Sequence, residues 1–134
     1  MKGAYVLILK LMKNSKIKIG KLGIMNFKKG YYCYVGSALG KSINLENRVR
    51  RHKKLIRNKI GKAKWHIDYF LKNLNVLLEG VILFPGKNEC EISKFFEEHA
   101  DKTISKFGST DCRKCEGHFH YFKNIKKILS LLGR

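Results

Sequence analysis

Acidic residues are what this chain lacks most: 10 Asp and Glu stand against 29 Lys and Arg, a formal net charge of +19 over 134 residues. A plain reading is solubility or the lysine-rich composition of heat-adapted proteins, but that habit pairs Lys with Glu, and acids are scarce here. The imbalance fits a polyanionic partner held through salt-sensitive phosphate contacts. Proline occurs once, at Pro85 in a Pro-Gly turn. No apolar run is long enough to span a bilayer, which excludes a helical membrane anchor in the sequence read. The apolar stretch after Met1-Lys2 ends at Lys10 without a small-residue cleavage site, so it reads as a strand and not as a secretory signal. The chain carries four cysteines and shows no export signal, which fits a reducing compartment with thiols free, metal-bound or catalytic. The expected location is therefore cytoplasmic. There is no internal repeat, low-complexity block or linker, so one domain over residues 1–134 is expected, closing in a short basic tail at 123–134.

Strand-like segments, rich in aromatic and β-branched residues, run from Ala4 to Leu11, Tyr31 to Gly36, Val76 to Phe84 and Phe119 to Phe122. Ile17 to Phe27 alternates around Gly20 and Gly23 and reads as a hairpin. Ser37 to Asn44 reads as a loop. Helical spacing begins at Leu45, with Leu45, Val49 and His52 on one face and Arg48 beside them, and Gly61 marks the end region. Further helices are expected over Trp65 to Leu74 and Glu89 to Ala100. In the latter, Ile92, Phe95, Phe96 and Ala100 form one apolar stripe for packing on the sheet. The basic tail reads as a short amphipathic helix. The expected class is α/β in the α+β sense: a small antiparallel sheet sandwiched by helices.

Two adjacent strands would bring Tyr5 and Tyr34 to one edge, directly before the helix that offers Arg48 and His52. A planar guanidinium can grip two phosphate oxygens and stabilise the charge that builds on phosphorus, while imidazole can shuttle a proton near neutrality. A tyrosine hydroxyl needs help from a metal or a cation to act as a base. Magnesium takes one or two protein carboxylates and completes its shell with water and phosphate; Glu89 and Glu91 are the candidates. The run from Arg48 to Lys54, with Arg50, Arg51, Lys53 and Lys54, reads as a phosphate-contacting face. Each feature also has a plain structural reading: tyrosines as half-buried strand residues, glutamates as partners of a helix N-terminus, and the basic run as a solvated face. His66 and Asp68 read as a buried polar pair or a cap, with Trp65 able to order the surroundings of the site.

Gly3-Ala4-Tyr5, Tyr34-Val35-Gly36, Leu45-x-x-Arg48-x-x-x-His52 and the glutamate opening the helix after the third long strand together resemble the GIY-YIG nuclease superfamily. More closely, Tyr34-Val35-Gly36-Ser37-Ala38, Trp65-His66-Ile67-Asp68-Tyr69, Glu89-Cys90 and Phe107-Gly108-Ser109-Thr110-Asp111-Cys112 with His118 resemble an uncharacterised branch of it, some of whose members are fused to endonuclease III-like repair glycosylases. The resemblance implies a metal-dependent endonuclease acting on DNA phosphodiester bonds, using one Mg2+ or Mn2+ ion. It implies that Tyr5 positions or deprotonates the attacking water with support from Tyr34, that Arg48 stabilises the scissile phosphate, that His52 assists proton transfer, and that Glu89 is the metal-binding carboxylate. Gly36 and Ser37 join the basic run as substrate-contacting positions, and a repair glycosylase becomes an expected associate. Ala4 stands where the superfamily usually has isoleucine, and the 37–44 loop is longer than in compact members. The alternative is a non-catalytic nucleic-acid-binding module, with RNA in place of DNA as a further option.

Cys112-x-x-Cys115-x-x-His118-x-His120 offers donor types compatible with tetrahedral zinc, with His118 and His120 on one side of a strand. Its spacing is tighter than the usual two-knuckle pattern. Packed free thiols are the other reading, and the one preferred.

Overall fold

The structure is a computed structural model describing residues 2–38, 44–108 and 116–133. Strands β1 (Gly3–Leu11), β4 (Gly30–Ala38), β5 (Val76–Pro85), β6 (Lys102–Thr103) and β7 (Phe119–Phe122) form one sheet in the order β5-β1-β4-β7-β6, with every pairing antiparallel. Strands β2 (Ser15–Lys18) and β3 (Ile24–Phe27) form a separate hairpin, joined through a single 3-10 turn at Gly20–Leu22. Four α-helices complete the described fold: α1 (Leu45–Asn58), α2 (His66–Leu71), α3 (Glu89–His99) and α4 (Ile125–Leu131).

Side chains alternate across a strand, so a strand covered on both faces must be apolar at every position. β1 meets that condition, being buried from Ala4 to Leu9. Tyr5, Leu7, Leu9 and Leu11 enter a core with Leu45, Val49, Leu55 and Ile56 of α1, Ile67 and Phe70 of α2, and Ile17, Ile19 and Phe27 around the hairpin. Val6 and Ile8 point the other way, into a second core with Cys33, Val35, Phe96 of α3 and Ile128 of α4. The sheet is thus sandwiched, with α1 and α2 on one layer and α3 and α4 on the other, as an α+β class requires.

Several local expectations change. Ser37 and Ala38 continue β4, paired with Ala4 and Gly3, because the register with β1 runs to the end of that strand; residues 39–43 of the expected loop lie outside the described residues. α1 stops before Gly61. Lys59 takes the left-handed cap at φ 60, and its Nζ donates to the carbonyls of Leu71 and Val76 at 2.9 and 2.8 Å, which offsets the unfavourable backbone. α2 is shorter than its apolar pattern suggested, with Trp65 as N-cap and a turn after Leu71. On α3 the stripe is narrower than expected, since Phe96 is buried while Phe95 remains 43% exposed. The basic tail forms α4, which packs Ile128 into the second core.

The cysteine expectation is corrected in part. Cys33 is a buried free thiol, but Cys90 is disulfide-bonded, contrary to the reading of the thiols as free, metal-bound or catalytic and not paired. No helix among the described residues is long and apolar enough to cross a membrane.

Candidate active site

The pairing of β1 with β4 sets Tyr5 opposite Gly36 and Leu7 opposite Tyr34, so the two tyrosines are diagonal neighbours on one face. Their ring centres lie 6.3 Å apart. Gly36 is the residue that permits this. A Cβ there would fall 2.4 Å from the Tyr5 hydroxyl and from its ring, closer than atoms can approach, so only glycine leaves room for the ring to lie across the neighbouring strand. Gly36 is itself buried, which gives it a steric role and not a place on the substrate-facing surface.

α1 lies against this face, and the four-residue spacing of Arg48 and His52 brings both toward Tyr5. The Tyr5 hydroxyl and His52 Nε2 are 2.6 Å apart and both residues are fully buried. Burial strips water from the imidazole and lowers its pKa to about 4; Asp68 opposes that shift, while Arg51 and Arg48 add to it. His52 is therefore neutral at pH 7, and its Nδ1 has no hydrogen-bond partner among the described residues. Burial also pushes the Tyr5 hydroxyl well above its ordinary pKa. The Arg48 guanidinium, close enough to act as a charge and as a hydrogen-bond donor, works against this, while Glu89 and Asp68 push the same way as burial. Tyr34 is raised too, by burial first and then by Tyr5 and Glu89, with Arg48 again opposing.

Arg48 is held from behind. Its guanidinium carbon sits 4.2 Å from the centre of the Trp65 ring, and that of Arg51 sits 4.4 Å from the same centre. Arg51 in turn makes a bidentate pair with Asp68, at 2.8 Å to Oδ1 and 2.9 Å to Oδ2. Asp68 Oδ2 also accepts from the backbone N–H groups of Lys64 and Trp65 at 2.7 and 2.9 Å, which starts α2 and fixes the Trp65 backbone. Burial alone would raise the Asp68 pKa; the Arg51 hydrogen bonds and these two N–H donors outweigh it and hold the carboxylate below its usual range. His66 serves elsewhere, its Nδ1 accepting from the Gly108 N–H at 3.0 Å.

Glu89 arrives from the opposite layer. It is the first residue of α3, where Asn88 accepts from the N–H groups of Cys90 and Glu91, so the glutamate is not needed as the cap. It lines an open depression of about 420 Å³ with Lys2, Gly3, Ser37, Ala38 and Lys87, at the end of the sheet where β1 begins and β4 ends. Although α3 packs on the other face, the Glu89 charge acts on both tyrosine hydroxyls. Glu91 is exposed, whereas Glu89 is among the leading charges acting on both hydroxyls. The Glu89 carboxylate is 28% exposed and lies 3.4 Å from Nδ1 of His118.

The remaining predicted residues divide. Ser37 borders the depression beside Glu89. Arg50 bonds Asn47, and Arg50 and Lys53 line a separate shallow groove with Val81 and Leu83. Lys54 is on the exposed side of α1, whereas Arg51 is committed to Asp68 and Trp65. Of the predicted zinc donors, Cys112 and Cys115 lie outside the described residues. His120 is not available as a ligand: its Nε2 and Nδ1 bond the hydroxyls of Ser93 at 2.8 Å and Thr103 at 2.7 Å. Among the described residues no group of three or more His, Cys, Asp or Glu side chains converges as a metal site. The double stacking on Trp65 and the approach of His118 to Glu89 escaped the sequence reading. An aromatic between two basic runs and a helix start of Asn-Glu hint at them, but neither pattern specifies a partner.

No curated protein and no solved structure matches the chain. With a family model covering residues 4–133, nearly its whole length, the chain belongs to the family described as Domain of unknown function DUF123.

Proposed function

We propose that the protein is a metal-dependent endonuclease that hydrolyses DNA phosphodiester bonds at the site around Tyr5, a member of the GIY-YIG superfamily as its sequence motifs suggest. The observation that carries this reading is the Tyr5 hydroxyl itself. It has a neutral imidazole 2.6 Å away, a guanidinium acting on it from α1 and a carboxylate acting on it from α3. Both Tyr5 and Tyr34 are held as neutral phenols, so Tyr5 works as a relay and not as a standing phenolate. A water positioned on Tyr5 gives its proton to the phenol oxygen as Tyr5 passes its own proton to His52 Nε2. The resulting hydroxide attacks phosphorus, the bond to the leaving oxygen breaks, and that oxygen takes a proton from solvent. Arg48, preset by Trp65, neutralises charge on the phosphate oxygens. The incoming phosphate also cancels part of the positive field of Arg51 and Arg48, which adds to burial in keeping His52 unprotonated.

Glu89 fits a magnesium-type ion. It presents a single, partly exposed carboxylate beside an open depression, and such an ion takes few protein donors and completes its shell with water and phosphate. Bound there, the ion would supply Lewis-acid stabilisation and a more acidic water. The net charge of +19 supports strand binding through the backbone, without sequence specificity. Nicking of a supercoiled plasmid with Mg2+ or Mn2+ tests the proposal. Arg48→Ala and Glu89→Gln are expected to abolish nicking and to leave salt-sensitive binding largely intact.

The burial of Tyr5, with no exposed surface, favours one second reading: a nucleic-acid-binding accessory module that assists a repair glycosylase without turnover. Binding of DNA without cleavage under any divalent ion would select it, and comparison of matched DNA and RNA strands would assign the polymer.

A further inference from the structure

α3 runs beside β7 so that residues one helical turn apart meet residues two apart on the strand, steps of about 6 and 6.6 Å. Two contacts of the same design result, Ser93 with His120 and Glu89 with His118. Their chemistry differs. His120 is saturated, with a hydroxyl on each ring nitrogen. His118 is 1% exposed, yet neither Nδ1 nor Nε2 has a hydrogen-bond partner among the described residues. A buried imidazole left in that state loses the hydration of its nitrogens without replacement, an unfavourable arrangement beside a carboxylate that lies 3.4 Å away without hydrogen-bond alignment.

The separation suits two ligands of one cation. Donors bound at about 2.0–2.1 Å to a tetrahedral ion lie about 3.3–3.4 Å apart, whereas cis donors on an octahedral ion lie about 3 Å apart, within easy side-chain adjustment. We propose that Glu89 and His118 together hold the divalent ion, through one carboxylate oxygen and Nδ1 of the imidazole, with water and phosphate completing the shell. The remaining ring proton then sits on Nε2. This rests on the reading of Glu89 as a metal ligand and changes its consequence. A mixed nitrogen and oxygen pair favours ions that accept imidazole, such as Mn2+, Co2+ or Zn2+, over Mg2+, which prefers oxygen alone.

The test needs no nucleic acid. Mn2+ is titrated into the full chain by electron paramagnetic resonance, and the bound ion is read by spin-echo modulation from nitrogen. The expected result is one Glu89-dependent ion carrying 14N modulation. In His118→Phe, which keeps a ring in the space, binding should weaken at least 10-fold and the modulation should vanish, while His66→Ala should retain both. A Glu89-dependent ion without nitrogen modulation in the wild type overturns the role of His118 and leaves Glu89 as a ligand, whatever the variants do. Absence of any Glu89-dependent ion overturns this inference and the metal-dependent reading of the site together.

Discussion

Arg48 lies over the only tryptophan of the chain, its guanidinium carbon 4.2 Å from the ring centre of Trp65, with Arg51 at 4.4 Å from the same centre. Flanked in this way, Trp65 is better suited to holding a cation than to stacking on a base. Trp65→Leu should therefore lower kcat by about 10-fold, the equivalent of roughly 1.4 kcal/mol of transition-state stabilisation, with a smaller change in KM. Because the indole is the only tryptophan and can be excited selectively at the red edge of the tyrosine absorption, its emission should also shift when DNA binds, and Arg48→Ala should remove most of that shift. Steady-state kinetics and fluorescence titration check the two halves.

Gly36 and Tyr5 form a second coupled pair. Gly36→Ala places a Cβ against the Tyr5 ring, and the overpacking should cost about 1–3 kcal/mol in urea unfolding. Tyr5→Leu in the same background should recover part of that loss, giving a coupling energy of about 1 kcal/mol. Tyr5→Phe should recover little, because the ring carbon that meets the new methyl remains.

Asp68 satisfies Arg51 and two backbone N–H groups from a fully buried position, while Arg51 is about one-third exposed. Asp68→Asn should cost about 2–3 kcal/mol, less than a pair buried on both sides because solvent screens the arginine. Chemical denaturation measures it. Activity should fall as well, since Arg51 and the Trp65 backbone lose their anchor.

Two buried histidines set the acid sensitivity. His52 is lowered to about 4 and His120 to about 3, both chiefly by burial. Between those values and the ordinary 6.5 the unfolded chain binds protons that the native chain refuses, so stability rises with pH there. As pH falls from 6.5 to about 4, each histidine should remove up to about 1.4 kcal/mol of stability per pH unit. Urea midpoints at pH 7, 5.5 and 4.5 should show the decline, and His52→Gln combined with His120→Gln should flatten it.

The sheet, the hairpin and the helices were legible because their signals are local: unbroken apolar strands, glycines at turns, and apolar residues three and four apart. The tyrosine pair was legible for the same reason, since adjacent antiparallel strands leave few registers. What the sequence concealed depends on contacts between layers. Nothing in the order of residues says that Trp65, from the start of α2, packs its ring against two arginines of α1. Nor does it say that α3 lies along β7 closely enough to set Glu89 on His118. The partners of His120 were hidden because two hydroxyls, one from α3 and one from β6, reach its nitrogens from positions far away in sequence. The end of α1 depends on such contacts too: Lys59, two residues before the Gly61 that marks the end region, caps the helix through its backbone N–H to Leu55 while its amine reaches Leu71 and Val76.

Tyr5→Phe removes one oxygen atom from the centre of the account and leaves the ring, the sheet register and the Gly36 contact in place. Single-turnover cleavage of labelled DNA with Mn2+, at protein concentrations that saturate binding, isolates the chemical step. The expected result is a rate at least 100-fold below wild type, with DNA affinity unchanged within a small margin and stability lowered by about 1–3 kcal/mol, because His52 Nε2 loses its buried partner. A Tyr5→Phe protein that cleaves at the wild-type rate, or a wild-type protein that binds DNA tightly and never cuts it, would contradict the assignment of a hydrolytic centre at Tyr5.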